Sequence, residues 1–306
     1  MVFLVRLGAD NNMTGDEAER DPFTNPTTGI SFSDVEATQY LNGNSANVRQ
    51  RFEVYKHARD GRSINQAVLD ELSELSGDET IVDLGCSDAE MLMKIRRELR
   101  HRGRLIGIDM DDFSEQIEQS TKLAGFEPIE FHVEDATSTS LEPETADRVL
   151  ALFLLYHIDP KKGLKEIDRI LKPGGKALIA TSGEANKHRH RTIERYIAQS
   201  LGILPPNQFS EPFDADVAQE MLPQWFSRVR HVAHRSEMVI ASDEALLDYM
   251  LSLQSMSSAF SPPLQRFGAG AVMEKLVEPK IRDEIETKGE FVDKIDRHLF
   301  ICEKPV

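Results

Sequence analysis

Thr80–Glu90 reads TIVDLGCSDAE. Ile81 and Val82 are β-branched and apolar, as a buried strand requires. Asp83 brings a carboxylate to the strand's end, Gly85 makes a tight turn, and an amphipathic helical pattern begins at Asp88. Strand, carboxylate, turn and helix in that order form the first unit of an open α/β sheet. Ligands of such sheets bind outside the carboxyl ends of the strands. The turn is not the G-x-G-x-x-G fingerprint, because Cys86, Ser87, Asp88 and Ala89 follow Gly85. Asp88 and Glu90 at the helix start suit the helix dipole but repel a diphosphate, which disfavours a dinucleotide. As ordinary first-turn acids they would need no ligand at all.

Working outward, the same rhythm repeats. A helix carries Met91, Leu92, Ile95 and Leu99 on one face and ends by Gly103. Strand two spans Arg104–Ile108 and terminates in Asp109, and a helix over Phe113–Ala124 leads to Gly125. Strand three is Ile129–Val133. Strand four, Asp147–Leu155, is nearly continuous apolar sequence, as expected of a strand covered on both faces. A helix over Lys162–Leu171 is expected to stop at Pro173-Gly174-Gly175, with strand five at Lys176–Thr181. Asp83, Asp109 and Asp135 are spaced 26 residues apart in both intervals, each at or just past a strand end. Any one of them alone reads as a loop or cap residue. Three in phase put carboxylates along one edge of the sheet.

Composition sets the class. The chain has 306 residues, 40% of them apolar, a formal charge of -16 and a pI near 5.0. No basic stripe suited to nucleic acid offsets that acidity. Cys86 and Cys302 lie far apart and match neither a metal motif nor a disulfide framework. The opening MVFLVRL is apolar for only seven residues, too short for a signal or membrane segment. The expectation is a cytoplasmic protein, monomer or homodimer, with no nucleic acid, membrane or metal partner.

The flanks divide as follows. Residues 1–34 read as a flexible polar tail and 35–78 as an N-terminal helical lid. Residues 79–183 are the α/β core, and 184–306 complete the sheet around a helical substrate cap at about 242–290. In that last part, helices are expected over Lys187–Gly202, Ala215–Trp225, Ser242–Leu253 and Leu264–Lys288, with Ser255–Pro263 as a loop. Strands are expected at Val229–Ala241 and His298–Glu303. Lys187-His188-Arg189-His190-Arg191 reads as a solvated face, and His231 and His234 lack the neighbours of a zinc site. Trp225 and Phe226 read as packing. Met250, Met256 and Phe260 suit either a pocket lining or helix packing.

VDLGCSDAE, GIDMD, VEDA, ADRVLALFLLYHI and RILKPGGKALIATSG, in that order, resemble the class I S-adenosylmethionine-dependent methyltransferases, over about Glu79–Gly183. The YHI…LKPGG portion is similar to the subgroup that methylates small molecules, and Asn47–Tyr55 resembles a helix that precedes the core in relatives. The resemblance implies a Rossmann-like α/β fold: a mostly parallel seven-stranded sheet with helices on both faces, its last strand antiparallel. It implies S-adenosylmethionine as cofactor, S-adenosylhomocysteine as product and a small organic acceptor. Oxygen or nitrogen is the favoured target atom, and carbon a third option. Asp83, Gly85 and Ser87 would form the turn under the methionine part. Ser87 and Ala89 stand where glycine is usual.

By the same resemblance Asp109 would accept from both ribose hydroxyls, a role that suits two carboxylate oxygens. Met110 would pack on the adenine, whose edge Asp135 and Ala136 would read. Phe153, placed just past the middle of strand four, would border the cofactor. Tyr40 and Arg51 would close over it, with Arg51 pairing the methionine carboxylate. His157, after strand four, suits a general base by its place and chemistry. The rival readings are a methyltransferase acting on protein or RNA, a nicotinamide dehydrogenase, and a cofactor-binding protein without catalysis.

Overall fold

The computed structural model describes residues 54–59, 63–186, 188–201, 213–257 and 269–306. Within them lie β1 (Ile81–Leu84), β2 (Leu105–Asp109), β3 (Glu130–Val133), β4 (Ala146–Leu152), β5 (Leu171–Ser182), β6 (Arg228–Ile240) and β7 (Phe291–Glu303). They form one open sheet in the order β3-β2-β1-β4-β5-β7-β6. β1 to β5 are parallel, and β7 runs antiparallel between β5 and β6. This is the expected Rossmann-like arrangement.

Both faces of the sheet are covered. On one, Val82, Leu84, Ile106, Val149, Ile179, Phe300 and Cys302 pack with Leu164 and Ile167 of α4 (Pro160–Ile170) and Ala218 of α6 (Ala215–Met221). On the other, Ile81, Leu105, Leu150, Leu178 and Leu299 meet α1 (Ile64–Leu72), α2 (Glu90–Glu98) and α3 (Ser114–Ala124). Ile64, Val68 and Leu72 of α1 are buried there. This stretch of the segment assigned to an N-terminal lid therefore belongs to the sheet's own core. Residues 1–53, including the expected tail, lie outside the described residues.

Three local readings are corrected. The helix expected over Lys162–Leu171 starts earlier, because Asp159 accepts from Lys161 N and Lys162 N and Pro160 takes the first turn. It ends at Ile170, and Pro173-Gly174-Gly175 is no helix stop but lies inside β5. Between the pairs Ala146↔Leu171 and Arg148↔Lys176, β4 advances two residues while β5 advances five, so the motif is a bulge. Gly174 takes φ +73 there, and Gly174 N and Lys304 O bond at 3.2 Å. Strand four ends at Leu152, not Leu155. Phe153 follows it at φ 60, outside the extended region.

β6 and β7 outrun the rest of the sheet. β5 ends at the pair Ser182↔Arg297, whereas Phe291–Asp296 pairs only with β6. Six residues at about 3.4 Å each carry this ribbon roughly 20 Å past the carboxyl edge. A third core forms on it from Met238, Ile240, Phe291 and Ile295, with α5 (His188–Leu201), α7 (Asp243–Ser257), α8 (Ala269–Val272), a π turn (Met273–Val277) and α9 (Glu278–Lys288). Ser255–Ser257 is the end of α7 rather than loop, and Phe260 lies outside the described residues. Met250 packs against this core. Val54–Arg59 is tied to the same ribbon. Ala58 bridges Met238, Arg59 N bonds Glu237 O at 2.8 Å, and His57 meets Asp248 at 2.8 Å.

The basic run at the start of α5 is not a solvated face. His190 is buried, and Arg189 pairs with Glu284 and lies 4.1 Å from the Phe291 ring centroid. The helix is capped from a distance. Asp293 of β7, itself buried, accepts from Arg189 N and His190 N at 2.9 Å and from Tyr249 Oη at 3.0 Å. Asp293→Ala strands two buried donors, His190 N and Tyr249 Oη, and the part-buried Arg189 N. It is expected to lower stability by about 3 kcal/mol, read from the urea midpoint. A loss under about 0.5 kcal/mol would mean that water replaces the cap.

Candidate functional site

The carboxyl ends of β1, β2 and β4 meet at one edge of the sheet, and the β1 turn shapes it. Gly85 N and Cys86 N both donate to Ile108 O, at 2.7 and 3.1 Å, which folds the turn over the end of β2. Gly85, Ser87 and Ala89 all have left-handed backbone, with φ of 70, 51 and 57. Ser87 and Ala89 thus hold the conformation glycine takes most easily, at about 1–2 kcal/mol each for an L residue. Left-handed residues thus alternate along the turn at Gly85, Ser87 and Ala89. Burial, together with Asp83 and Asp109, pushes the Cys86 thiol pKa up, so this cysteine is no nucleophile.

Asp109 joins the turn to the end of β2. Its Oδ2 accepts from Ser87 N at 2.8 Å and its Oδ1 from Asp111 N at 3.1 Å. Two backbone donors fix the carboxylate, and each oxygen retains a second lone pair. Burial raises its pKa, and the backbone donors and the nearby His157 act against that rise. Asp83 is buried beneath it. Burial first and the charge of Asp109 second push the Asp83 carboxyl up to about 8, so it is protonated at neutral pH.

The other expected residues spread along this edge. Met110, next to Asp109, is 70% exposed, and Val133 at the end of β3 is 50% exposed, so an apolar floor lies bare beside the acid. Asp135 is exposed and its Oδ1 accepts from Thr137 N at 2.8 Å, while Ala136 is buried under it. Phe153 N bonds Ala180 O at 2.8 Å, which places the residue between the ends of β4 and β5. His157 N bonds Leu154 O at 2.8 Å, and its ring centroid lies 4.3 Å from that of Tyr156. The structure therefore brings Asp83, Gly85, Ser87, Asp109 and His157 together. Met110, Asp135 and Ala136 extend the edge on one side and Phe153 on the other. Tyr40 and Arg51 lie outside the described residues.

These groups fit a ligand with a vicinal diol and a flat ring. The fixed carboxylate has acceptors left for two hydroxyl donors, and the bare apolar side chains beside it suit a purine. Among the described residues no cluster of three or more His, Cys, Asp or Glu is suited to a metal, and no helix is long and apolar enough to cross a membrane.

Sequence reasoning missed the polar group at the start of β7. Asp296 accepts from Arg235 Nε at 3.1 Å and lies 3.0 Å from His298 Nε2, and His298 Nδ1 lies 2.7 Å from His231 Nε2. Arg297, between them, points to the opposite face. The available signal was DKIDRH, a charged run leading straight into a buried apolar strand.

Residues 82–179 match the family described as the methyltransferase domain. A demethylmenaquinone methyltransferase of Clavibacter sepedonicus is 39% identical over 71 residues, 22% of this chain and 29% of that protein. A ubiquinone/menaquinone biosynthesis C-methyltransferase of Rickettsia felis is 28% identical over 131 residues, 41% of this chain and 52% of that one. This chain thus spans about half or less of the length of these two relatives. Among solved structures, a Haemonchus contortus phosphoethanolamine N-methyltransferase 2 superposes with a TM-score of 0.52 at 18% identity. That match covers 90% of this chain and 61% of the other. At such identity the likeness is one of fold.

Proposed function

We propose that this chain, which carries a methyltransferase domain over residues 82–179, transfers a methyl group from S-adenosylmethionine to a small organic acceptor. Oxygen or nitrogen is the favoured target atom, carbon the alternative. The observation that carries the reading is the Asp109 carboxylate, pinned by Ser87 N and Asp111 N beside the bare Met110. Such a group would take the two ribose hydroxyls, with Met110 against the adenine and Asp135 and Ala136 at its edge. Two further features support the reading. The relatives named for quinone methylation favour a small acceptor and keep carbon in view. The ribbon of β6 and β7 carries a helical cap beyond the carboxyl edge, which suits a substrate enclosed away from water.

When bound, S-adenosylmethionine supplies an electrophilic methyl group on a sulfonium sulfur. The protein's residues orient and exclude. Asp109 and the left-handed turn fix the ribose end, and Phe153 at the end of β4 borders the methyl-transfer region. Positioning of this kind is worth up to roughly 7–11 kcal/mol in favourable models. An oxygen or nitrogen acceptor would form its new bond to the methyl carbon as the carbon–sulfur bond breaks and its electron pair stays on sulfur. A ring nitrogen of His157 would take the proton the acceptor releases.

The test is incubation of the protein with S-adenosylmethionine and panels of phenols, amines and quinols, read by product mass spectrometry. One methyl group added to an acceptor, with S-adenosylhomocysteine formed in equal amount, is expected. No methylated product from any panel, with the cofactor bound, would favour the reading without catalysis. On the active acceptor, His157→Ala is expected to lower kcat by about a hundredfold with S-adenosylhomocysteine affinity nearly unchanged. Full turnover would remove His157 as the base.

A further inference from the structure

We propose that Arg297 binds an anionic oxygen group, carboxylate or phosphate, on the methyl acceptor. This rests on the methyltransferase reading above and names the class of substrate for it. Arg297 pairs in register with Ser182, the last residue of β5, so it stands at the carboxyl edge where the β6–β7 ribbon leaves the sheet. Its guanidinium carbon lies 3.7 Å from the Tyr55 ring centroid and 5.0 Å from that of Phe153. Two aromatic faces thus hold the planar cation from the strand tip and from the N-terminal segment.

The cation has no anionic partner among the described residues. Its Nε is buried without a hydrogen bond. Arg96 shares an unpaired Nε, but Arg96 Nη1 is anchored on His101 O and Gly103 O. Among the described residues Arg297 meets rings alone. The neighbouring Asp296 is committed elsewhere, to Arg235 and His298 on the other side of the strand. A guanidinium presents five N–H donors in a fixed fork that matches carboxylate or phosphate oxygens in pairs. Here the fork is already oriented, and no group among the described residues matches it.

Position separates this ligand from the cofactor. On the reading above, the ribose acid is on β2 and the methionine turn follows β1. β4, β5 and then β7 come next in the sheet, so Arg297 stands three strand spacings, about 14 Å, beyond the β1 turn. That is the side past Phe153, where an acceptor would lie. In a chain of charge -16, with Asp109 and Asp111 at the other end of the edge, this cation gives the site polarity along its length. The flanking rings also suit an acceptor with a flat apolar body next to its anionic group.

The experiment titrates benzoate, phenyl phosphate and the neutral control benzamide into the full chain saturated with S-adenosylhomocysteine. Wild type is compared with Arg297→Gln and Arg297→Lys. At least one anion is expected to bind, and benzamide at least about tenfold more weakly. Arg297→Gln should weaken the anion about tenfold or more, with Arg297→Lys between, because it keeps the charge and loses the fork. Preference for benzoate or phenyl phosphate distinguishes a carboxylate acceptor from a phosphate. S-adenosylhomocysteine affinity should stay within about threefold in both variants, which also reports that they are folded. Equal binding of benzamide, no anion binding, or unchanged anion affinity in Arg297→Gln overturns the proposal while the cofactor reading stands. A large loss of S-adenosylhomocysteine affinity in both variants overturns it by assigning Arg297 to the cofactor. Failure of wild type to bind S-adenosylhomocysteine removes the underlying reading itself.

Discussion

Asp109→Ala is expected to weaken S-adenosylhomocysteine binding by at least about a hundredfold in a protein that still folds. The size follows from what one carboxylate does. On the proposed reading it accepts from both ribose hydroxyls, and hydrogen bonds to a charged group contribute about 1.5–3 kcal/mol each. It also holds Ser87 N at 2.8 Å and Asp111 N at 3.1 Å, so removing it loosens the turn that faces the ligand. Ser87 takes left-handed backbone there, and the loss of its anchor leaves an unfavourable conformation unsupported. Asp109→Asn should be nearly as damaging, because an amide presents a donor where one of these acceptors is needed. The fold should survive, since burial already opposes the ionised form of Asp109. Affinity within threefold of wild type would remove Asp109 from the ribose and take the main support from the cofactor assignment.

The second large effect is on pH. Asp83 rises from an ordinary 3.8 to about 8 in the folded chain. Between those values the folded state holds a proton that the unfolded state has released, so stability falls as pH climbs. One such group contributes a slope of about 1.4 kcal/mol per pH unit inside the window. Glu79 and Glu284 are both held down to about 2, Glu79 by hydrogen bonds from Ser76 and Gly77 working against its burial, Glu284 first by Arg189. Their stabilisation is complete above the unfolded value and is lost only as pH falls below it, so they do not interfere above pH 5. Between pH 5.5 and 7.5, urea unfolding should show wild type losing about 2–3 kcal/mol relative to Asp83→Asn. The amide has the shape of the neutral acid and does not titrate. Parallel pH profiles for the two proteins would mean that Asp83 is ionised in the fold. A cationic ligand above Asp83 favours its charged form, so binding should also release protons near pH 7.5.

The half of the chain built from repeated strand-and-helix units was legible because each unit carries its own punctuation. Apolar runs stop at Asp83 and Asp109, and Gly85 and Gly125 turn left-handed where a turn and a helix end require it. The same local logic failed at Pro173-Gly174-Gly175. The tripeptide bears every mark of a helix stop, yet backbone pairing to Lys304, far away in sequence, makes it a bulge. Strand four was read too long because Phe153, Leu154 and Leu155 continue its apolar run past the last ladder bond. Leu155 turns into the core under α4 instead.

The far half was harder for a single reason. β7 is one strand of thirteen residues, but only His298 onward is covered on both faces and reads as apolar. Its first part, through Asp296, pairs with β6 alone, and Asp293 and Asp296 there, with Arg297 just after, serve a distant helix cap, a histidine and two rings. The helix start and the two rings are more than a hundred residues away and leave no periodic trace. For the same reason the turn acids Asp83 and Asp109 could be located from spacing, whereas Arg297 could not.

The most direct test of the account is calorimetric titration of the purified chain with S-adenosylmethionine, S-adenosylhomocysteine and NAD under one set of conditions. The account predicts micromolar, one-to-one binding of the two sulfur ligands and none of NAD. The left-handed turn and fixed Asp109 suit a ribose, and Asp88 and Glu90 repel a diphosphate. Folded protein that binds neither sulfur ligand, or that binds NAD as tightly, would contradict it.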